Sequence, residues 1–463
     1  MLDPKLPSIV DKLKSIVGEQ YVLTSPEDLV AYSYDATFTS ARPNLVVLPA
    51  NTQEISEILK VANRELIPVV PRGMGSGLAA GSIPFGGGMV LPLTRMDRLL
   101  GFDYDNMMVT AEAGIITSEL ADAVAREGYL YPPDPSSNRY STLGGNVACN
   151  AGGARCLKYG ITGHYVMALE VVLADGRIMR VGGKATKNVT GYDLVHLLVG
   201  SEGTLAIITE VTVKFIAAPR SERTAEAVFP RLVDAGKAIN AVLTSGIVPS
   251  MLEIMDETAI KSVEDYLHLG LPLDVDAILL IQTDGDEADV VRDMDAVVKI
   301  CHQSGAREVR VATTPEESEE LWRARHSVSG SLGRIRPNKL GEDVTVPHSA
   351  IPEMIARIKE ISAIRNLPIV IFGHAGDGNL HPNILFDKRD AEERERVESA
   401  VGDLFRAAVE VGGSLSGEHG VGVLKRAYLE MAMGSVAVEM QKRIKRAWDP
   451  NNILNPGKIF PPT

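Results

Sequence analysis

The sequence predicts an α+β protein of two domains closed by a helical C-terminal segment. Three observations carry this. More than half of the 42 glycines lie between residues 71 and 210, in short clusters among apolar strands. From residue 219 the texture changes to long charged helices alternating with strands. Past about residue 420 the pattern is helical, ending in Trp448-Asp449-Pro450-Asn451-Asn452-Ile453-Leu454-Asn455-Pro456-Gly457. The expected domains are 1–218 and 219–416, with 417–463 returning to complete a site on the first.

Each element has its own signal. Leu6, Ile9, Val10, Leu13, Ile16 and Val17 follow helical spacing. Ser25-Pro26-Glu27-Asp28 is a cap with proline at the first helical position and acids in the first turn. Thr52 opens a helix with Ile55, Ile58, Leu59 and Ala62 on one face, and Leu45–Pro49 and Ile67–Pro71 are buried strands bounded by proline. Residues 89–215 read mostly as strands, including a hairpin: Leu169–Ala174, an Asp175-Gly176 turn, then Arg177–Val181. In the second domain, helices are expected around 231–245, 286–304 and 350–364, with strands at Ala277–Thr283 and Glu308–Val311.

Composition narrows the function. With 463 residues, 45% hydrophobic and 23% charged, the chain can bury a large core, and disorder is excluded for most of it. No run approaches the roughly 18 apolar residues of a spanning helix. MLDPKLPSIVDKLK carries charges where a signal peptide needs an apolar stretch. The three cysteines, Cys149, Cys156 and Cys301, form no CxxC pair, which disfavours disulfide frameworks and iron–sulfur clusters and suits a reducing cytoplasm. The formal charge of −13 repels nucleic acid and anionic membranes, so an anionic substrate needs specific Arg or Lys residues to hold it.

Two glycine-rich segments carry the first chemistry. Pro71-Arg72-Gly73-Met74-Gly75-Ser76-Gly77-Leu78-Ala79-Ala80-Gly81 contains a formal G-x-G-x-x-A match. Pro84 and Gly86-Gly87-Gly88 follow at once, so the helix that a Rossmann fingerprint needs cannot form. What remains is a turn of backbone N–H groups able to cradle an anion. The second segment runs from Pro132-Pro133-Asp134 to Thr142-Leu143-Gly144-Gly145-Asn146-Val147-Ala148-Cys149-Asn150-Ala151-Gly152-Gly153, and reads as a loop whose small side chains let a planar cofactor lie against the backbone. With Gly200-Ser201-Glu202-Gly203-Thr204-Leu205-Ala206-Ile207-Ile208, the two segments resemble the FAD-binding domain of the vanillyl-alcohol oxidase / p-cresol methylhydroxylase family across about 40–218. The resemblance implies that family's two-subdomain FAD domain, followed by an α+β cap (substrate) domain. It implies pyrophosphate contacts at Arg72, Gly73, Met74, Gly75, Ser76 and Gly77. It places the isoalloxazine near Pro133, Asp134, Thr142, Gly144, Gly145, Asn146, Ala148, Asn150 and Gly153, with further contacts from Gly203, Ile207, Glu418 and Asn455. The first loop lacks the histidine that some members use for covalent attachment, so FAD is expected to be non-covalent. Cys156 is read as a small core residue.

Two motifs supply the second chemistry: Gly373-His374-Ala375-Gly376-Asp377-Gly378-Asn379-Leu380-His381 and Ser416-Gly417-Glu418-His419-Gly420-Val421-Gly422. A two-residue turn at Asp377-Gly378 would set His374 directly opposite His381, Cβ atoms ~5 Å apart on one face. Two imidazoles so placed can share a metal, with Glu418 a possible third ligand suited to zinc, iron(II) or manganese. This spacing resembles the D-2-hydroxyacid dehydrogenase branch of the same flavin family. The resemblance implies His374, His381 and Glu418 as metal ligands and His419 as base. It also implies that Arg325, in Trp322-Arg323-Ala324-Arg325, faces the substrate, leaving Arg323 on the surface.

The chemistry agrees. A metal on the substrate hydroxyl lowers its pKa, a histidine with an ordinary pKa of ~6.5 suits a base, and a cation must hold the carboxylate. The lysine of the hydroxyglutarate enzymes has no match in Leu340-Gly341-Glu342-Asp343, which favours D-lactate or glycolate over D-2-hydroxyglutarate. A metal hydrolase would leave the glycine loops unexplained, and a non-catalytic FAD subunit would leave the metal and base motifs unexplained. Electrons are expected to leave through an electron-accepting protein, which the resemblance implies is either an electron-transferring flavoprotein or an iron–sulfur subunit.

Overall fold

The computed structural model describes residues 6–461. Residues 1–5, part of the stretch read against a signal peptide, lie outside the described residues, as do 462–463. The chain divides into two compact units. One comprises Met1–Ala151, Ile161–Ala218 and Glu418–Thr463; the other comprises Gly152–Gly160 and Pro219–Gly417.

The first unit holds two larger sheets and a two-stranded pairing of Ile216–Ala217 with Tyr129–Leu130. Leu45–Val47, Met89–Pro92 and Val69–Arg72 are parallel neighbours, with Val22–Leu23 antiparallel on the outer edge. The helix Thr52–Glu65 covers them, burying Ile55, Ile58, Leu59 and Ala62, and Asn51 rather than Thr52 caps it through Glu54 N–H. Ser25 caps Pro26–Ala31 as its sequence suggests. The second sheet is antiparallel, in the order Leu99–Asp103, Met108–Glu112, Ile207–Lys214, Val166–Val172 and Ile178–Gly182. Its last pair is the expected hairpin, with Leu169 opposite Val181.

The second unit is an eight-stranded sheet backed by helices. Its order is Glu308–Val311, Ser221–Phe229, Ala277–Gly285, Met251–Asp256, Ile369–His374, Asn379–Phe386 and Asn338–Gly341, with Val344–Thr345 also on Asn379–Phe386. Helices stand where expected at Leu232–Thr244, Glu287–Gln303 and Ile351–Arg365, and further long ones at Pro315–Ser331 and Ala391–Glu410. The central strands Met251–Asp256 and Ile369–His374 are buried at every position, so a charged residue there needs a partner.

The excursion Gly152–Gly160 was expected in the first domain, and the structure places it in the second unit. The reason is side-chain packing. Ala154 packs against Met251, Leu280, Leu321 and Trp322, Lys158 pairs with Asp284, and the Tyr159 hydroxyl donates to Asp284 at 2.6 Å. Among the described residues no helix is long and apolar enough to cross a membrane.

Candidate active site

In the second unit, the hairpin of Ile369–His374 and Asn379–Phe386 carries both motif histidines. Its register pairs Phe372 with His381 and His374 with Asn379, so Ala375 to Gly378 form a four-residue connection instead of the expected two-residue turn. His374 and His381 are therefore diagonal neighbours rather than directly opposed. A shift of two residues preserves the face, whereas a shift of one would have separated them. Both are buried, their rings perpendicular with centroids 5.0 Å apart, and one ring nitrogen of each lies within 4.8 Å of the other's.

A third residue completes this cluster. Glu253 lies on the neighbouring strand, where Ile254 pairs with Gly373, and its side chain is 2% exposed. One oxygen, Oε1, accepts from His374 Nδ1 at 2.6 Å. The other, Oε2, accepts from Arg325 Nε at 2.8 Å and pairs with Nη2 at 2.7 Å. The Arg325 guanidinium also lies over the Phe372 ring, 4.9 Å from its centroid. Burial pushes the Glu253 carboxyl up, but His374 and Arg325 overcome this and hold it below its ordinary value. As an anion Glu253 can only accept, so His374 donates from Nδ1, and in the neutral ring the lone pair is on Nε2. Two buried imidazoles, one of them hydrogen-bonded to a carboxylate, are donors of the kind a divalent cation takes.

The chain leaving this unit is pinned beside the hairpin. Asp343 accepts from Gly417 N–H at 2.7 Å and from the Ser416 hydroxyl at 3.0 Å. A Cβ on Gly417 would collide with Thr345 Oγ1 and lie 2.6 Å from Asn379 Cγ, and Asn379 is the residue paired with His374. Glu418 follows by one peptide bond. Arg323 is exposed on the helix Pro315–Ser331, while Trp322 is buried.

In the first unit the two glycine segments meet. Residues 73–88 run as turns and bends to the strand at Met89, with no helix after Gly77. The second segment contains a short helix, Leu143–Cys149, in place of the expected open loop. Thr142 caps it by accepting from Gly145 N–H at 3.2 Å, and Leu143 and Val147 are buried. A Cβ on Gly73 would strike the Thr142 hydroxyl, and one on Gly75, at φ +74°, would strike the Arg72 guanidinium. Arg72 is buried beneath its own loop and donates to Ser82 Oγ at 3.3 Å. Gly77 faces open space within 4 Å of its Cβ direction. Several of these glycines thus answer to protein packing, while Gly77 leaves backbone exposed to a ligand.

The other expected contacts are mainly buried connectors. Asn146 donates to Thr117 Oγ1 at 2.6 Å, and Asn150 Oδ1 accepts from Gly163 N–H at 2.8 Å. Asn455 donates to Gly81 O at 3.0 Å and Glu202 O at 2.8 Å. Gly203 sits at φ +69°, where a Cβ would strike Pro71, and Ile207 is buried opposite Val172. Pro133 is buried, Met74 exposed, and Ser76, Asp134 and Ala148 partly exposed. Gly153 falls in the second unit, as does the half-buried Cys156. Glu202, unremarked in sequence, is buried and accepts from Val421 N–H at 2.7 Å and Gly422 N–H at 2.8 Å, fixing the loop that carries His419. Burial pushes the Glu202 carboxyl up, and those N–H groups and Lys458 oppose it. Burial also brings Lys458 down to about 8, and burial with the Glu202 charge pushes the Cys149 thiol up to about 12.

Residues 43–182 match the family model "FAD binding domain", and 218–459 match "FAD linked oxidases, C-terminal domain", more than half the chain. The chain belongs to the FAD-linked oxidase family. This oxidase is 44% identical to the glycolate oxidase subunit GlcD of Bacillus subtilis (strain 168), over 98% of this chain and 96% of the relative. It is 35% identical to the D-lactate dehydrogenase of Anaerostipes hadrus, over 98% and 97%. Its fold matches p-cresol methylhydroxylase with a TM-score of 0.83 at 17% identity, covering 100% of this chain and 98% of that one. It also matches 4-ethylphenol oxidase from Gulosibacter chungangensis, with a TM-score of 0.81 at 19% identity over 99% and 98%. The fold is therefore the p-cresol methylhydroxylase / vanillyl-alcohol oxidase FAD-binding fold, and the oxidase is a flavin-linked enzyme.

Proposed function

We propose that this oxidase converts a small D-2-hydroxy acid, D-lactate or glycolate, to the 2-oxo acid. The observation that carries this is the shared carboxylate of Glu253, which sets a guanidinium beside a pair of metal-competent imidazoles. A 2-hydroxy acid presents the matching pair, a carboxylate and an adjacent hydroxyl. The names of the relatives support the same substrate class. FAD, when bound, supplies the hydride acceptor, and a divalent metal held by His374, His381 and Glu418 supplies Lewis acidity at the hydroxyl. Arg325 holds the substrate carboxylate through the Nη1 edge left after Glu253 takes Nε and Nη2. His419 takes the hydroxyl proton as hydride leaves the adjacent carbon. Glu342 and Asp343, both buried, are acids where a second substrate carboxylate would need a cation, which supports a monocarboxylate. Anaerobic addition of D-lactate or glycolate should bleach the flavin band, and L-lactate should do so far more slowly. No bleaching by any small 2-hydroxy acid rules the reading out.

Two further outcomes follow. Acid or heat should release FAD into the supernatant, because the first glycine loop has no histidine to bond it. Yellow colour remaining in the precipitate would contradict this. The enzyme should also reduce an artificial dye but not NAD, since the G-x-G-x-x-A match lacks its helix. Electrons then pass to a docking protein, in a cytoplasmic setting, with an on-rate falling as salt rises. Rapid NAD reduction by the isolated chain would refute it.

A further inference from the structure

We propose that Glu253 is a positioning residue that couples the metal-binding and carboxylate-binding halves of the site. This rests on the functional reading above. Glu253 Oε1 fixes His374 with its Nε2 lone pair turned away from the Nδ1 bond, and Oε2 fixes Arg325. A buried ion pair needs only one partner for its charge. Glu253 instead divides its two oxygens between two side chains that reach the site from different elements, a strand end and the helix Pro315–Ser331. Phe372, next but one to His374 on the same strand, closes the arrangement under the guanidinium. His374 and Arg325 therefore cannot reorient independently. A cation drawing on His374 draws on the carboxylate that holds Arg325, and a substrate carboxylate on Arg325 acts on the same anion from the other side. Metal and substrate should each tighten the other's binding, by the same factor.

Glu253→Gln separates the two links. The amide oxygen can still accept from His374 Nδ1, but the amide NH₂ then faces the Arg325 donors, and the negative charge is gone. In flavin-loaded enzyme stripped of metal by chelator, cobalt(II) is titrated in and its visible absorption recorded, with and without D-lactate. Wild type should bind cobalt(II), and more tightly with D-lactate present. Glu253→Gln should bind cobalt(II) about 10–100-fold more weakly, the usual cost of losing a carboxylate behind a ligating histidine. It should also show a smaller tightening by D-lactate than wild type, what remains being the substrate hydroxyl's own contact with the metal, with its flavin spectrum unchanged. Unaltered cobalt(II) affinity and unaltered tightening in Glu253→Gln would reduce Glu253 to a structural ion pair, while leaving the functional reading standing. Failure of wild type to bind cobalt(II) at all would overturn both. Should the variant not fold, nitrogen-15 histidine spectra of metal-free wild type decide the matter. His374 must carry its proton on Nδ1, and a proton on Nε2 would overturn the assignment.

Discussion

Replacing His374 by Ala is expected to abolish turnover of the hydroxy acid while FAD stays bound. The imidazole belongs to a hairpin of the second unit, whereas the glycine segments that meet at Gly73 and Thr142 belong to the first. Loss of the imidazole removes one of the two buried imidazoles proposed to hold the metal and strips Glu253 of one of its two partners. Lewis-acid stabilisation of a developing alkoxide is worth several kcal/mol, and at ~1.36 kcal/mol per tenfold the loss is about 10³-fold or more. Breaking the buried pair adds a stability cost of up to about 3–5 kcal/mol, so activity is to be compared on protein with a native flavin spectrum. Elemental analysis of both proteins checks the cause. Fully active wild type with no bound metal, or a His374→Ala variant retaining wild-type rates, would end this account.

The glycine distribution, the hairpin at 175–176 and the long helices of the second unit were legible because each rests on local rules: turn chemistry, capping and periodicity. The histidine pair was legible too, though its register was not. Asp377-Gly378 is a strong two-residue turn signal, yet the strands pair two residues out, and Gly378 sits where a Cβ would strike Val346 O. The chosen face survived only because the shift was even. The helix Leu143–Cys149 was hidden by Gly144-Gly145, poor helix formers. Tertiary packing overrides them, since Gly144 admits Ala113, whose Cβ would be 2.6 Å from an added Cβ. The Thr142 cap and the Leu143–Val147 spacing were the available signals.

Glu253 was the largest omission. It lies between Leu252 and Ile254 in a strand buried at every position, and an acid flanked by apolar residues in such a strand calls for a partner. The sequence shows that a partner is needed but cannot say which, because His374 lies 121 residues away and Arg325 lies 72 away. Contacts that distant are set by strand order. The same limit hid the Glu202 link to Val421 and Gly422 and the docking of Gly152–Gly160 on the second unit.

His419→Ala is expected to slow flavin reduction by roughly 10²–10⁴-fold, the usual worth of a positioned base. The loop around it makes this a clean substitution. Gly420 and Gly422 sit at φ +83° and +50°, and Glu202 accepts from the N–H groups of Val421 and Gly422. The backbone path is thus set by glycine geometry and a buried carboxylate, so truncating the His419 side chain leaves it in place. Losing a base removes an interaction made as the proton transfers, so kcat and kcat/KM should fall together. Arg325→Ala should behave differently, raising KM most, because the substrate carboxylate is already charged in the ground state. Anaerobic stopped-flow reduction with saturating D-lactate separates the two. A His419→Ala variant reduced at the wild-type rate would remove His419 from the proton transfer and leave the hydroxyl proton to another group.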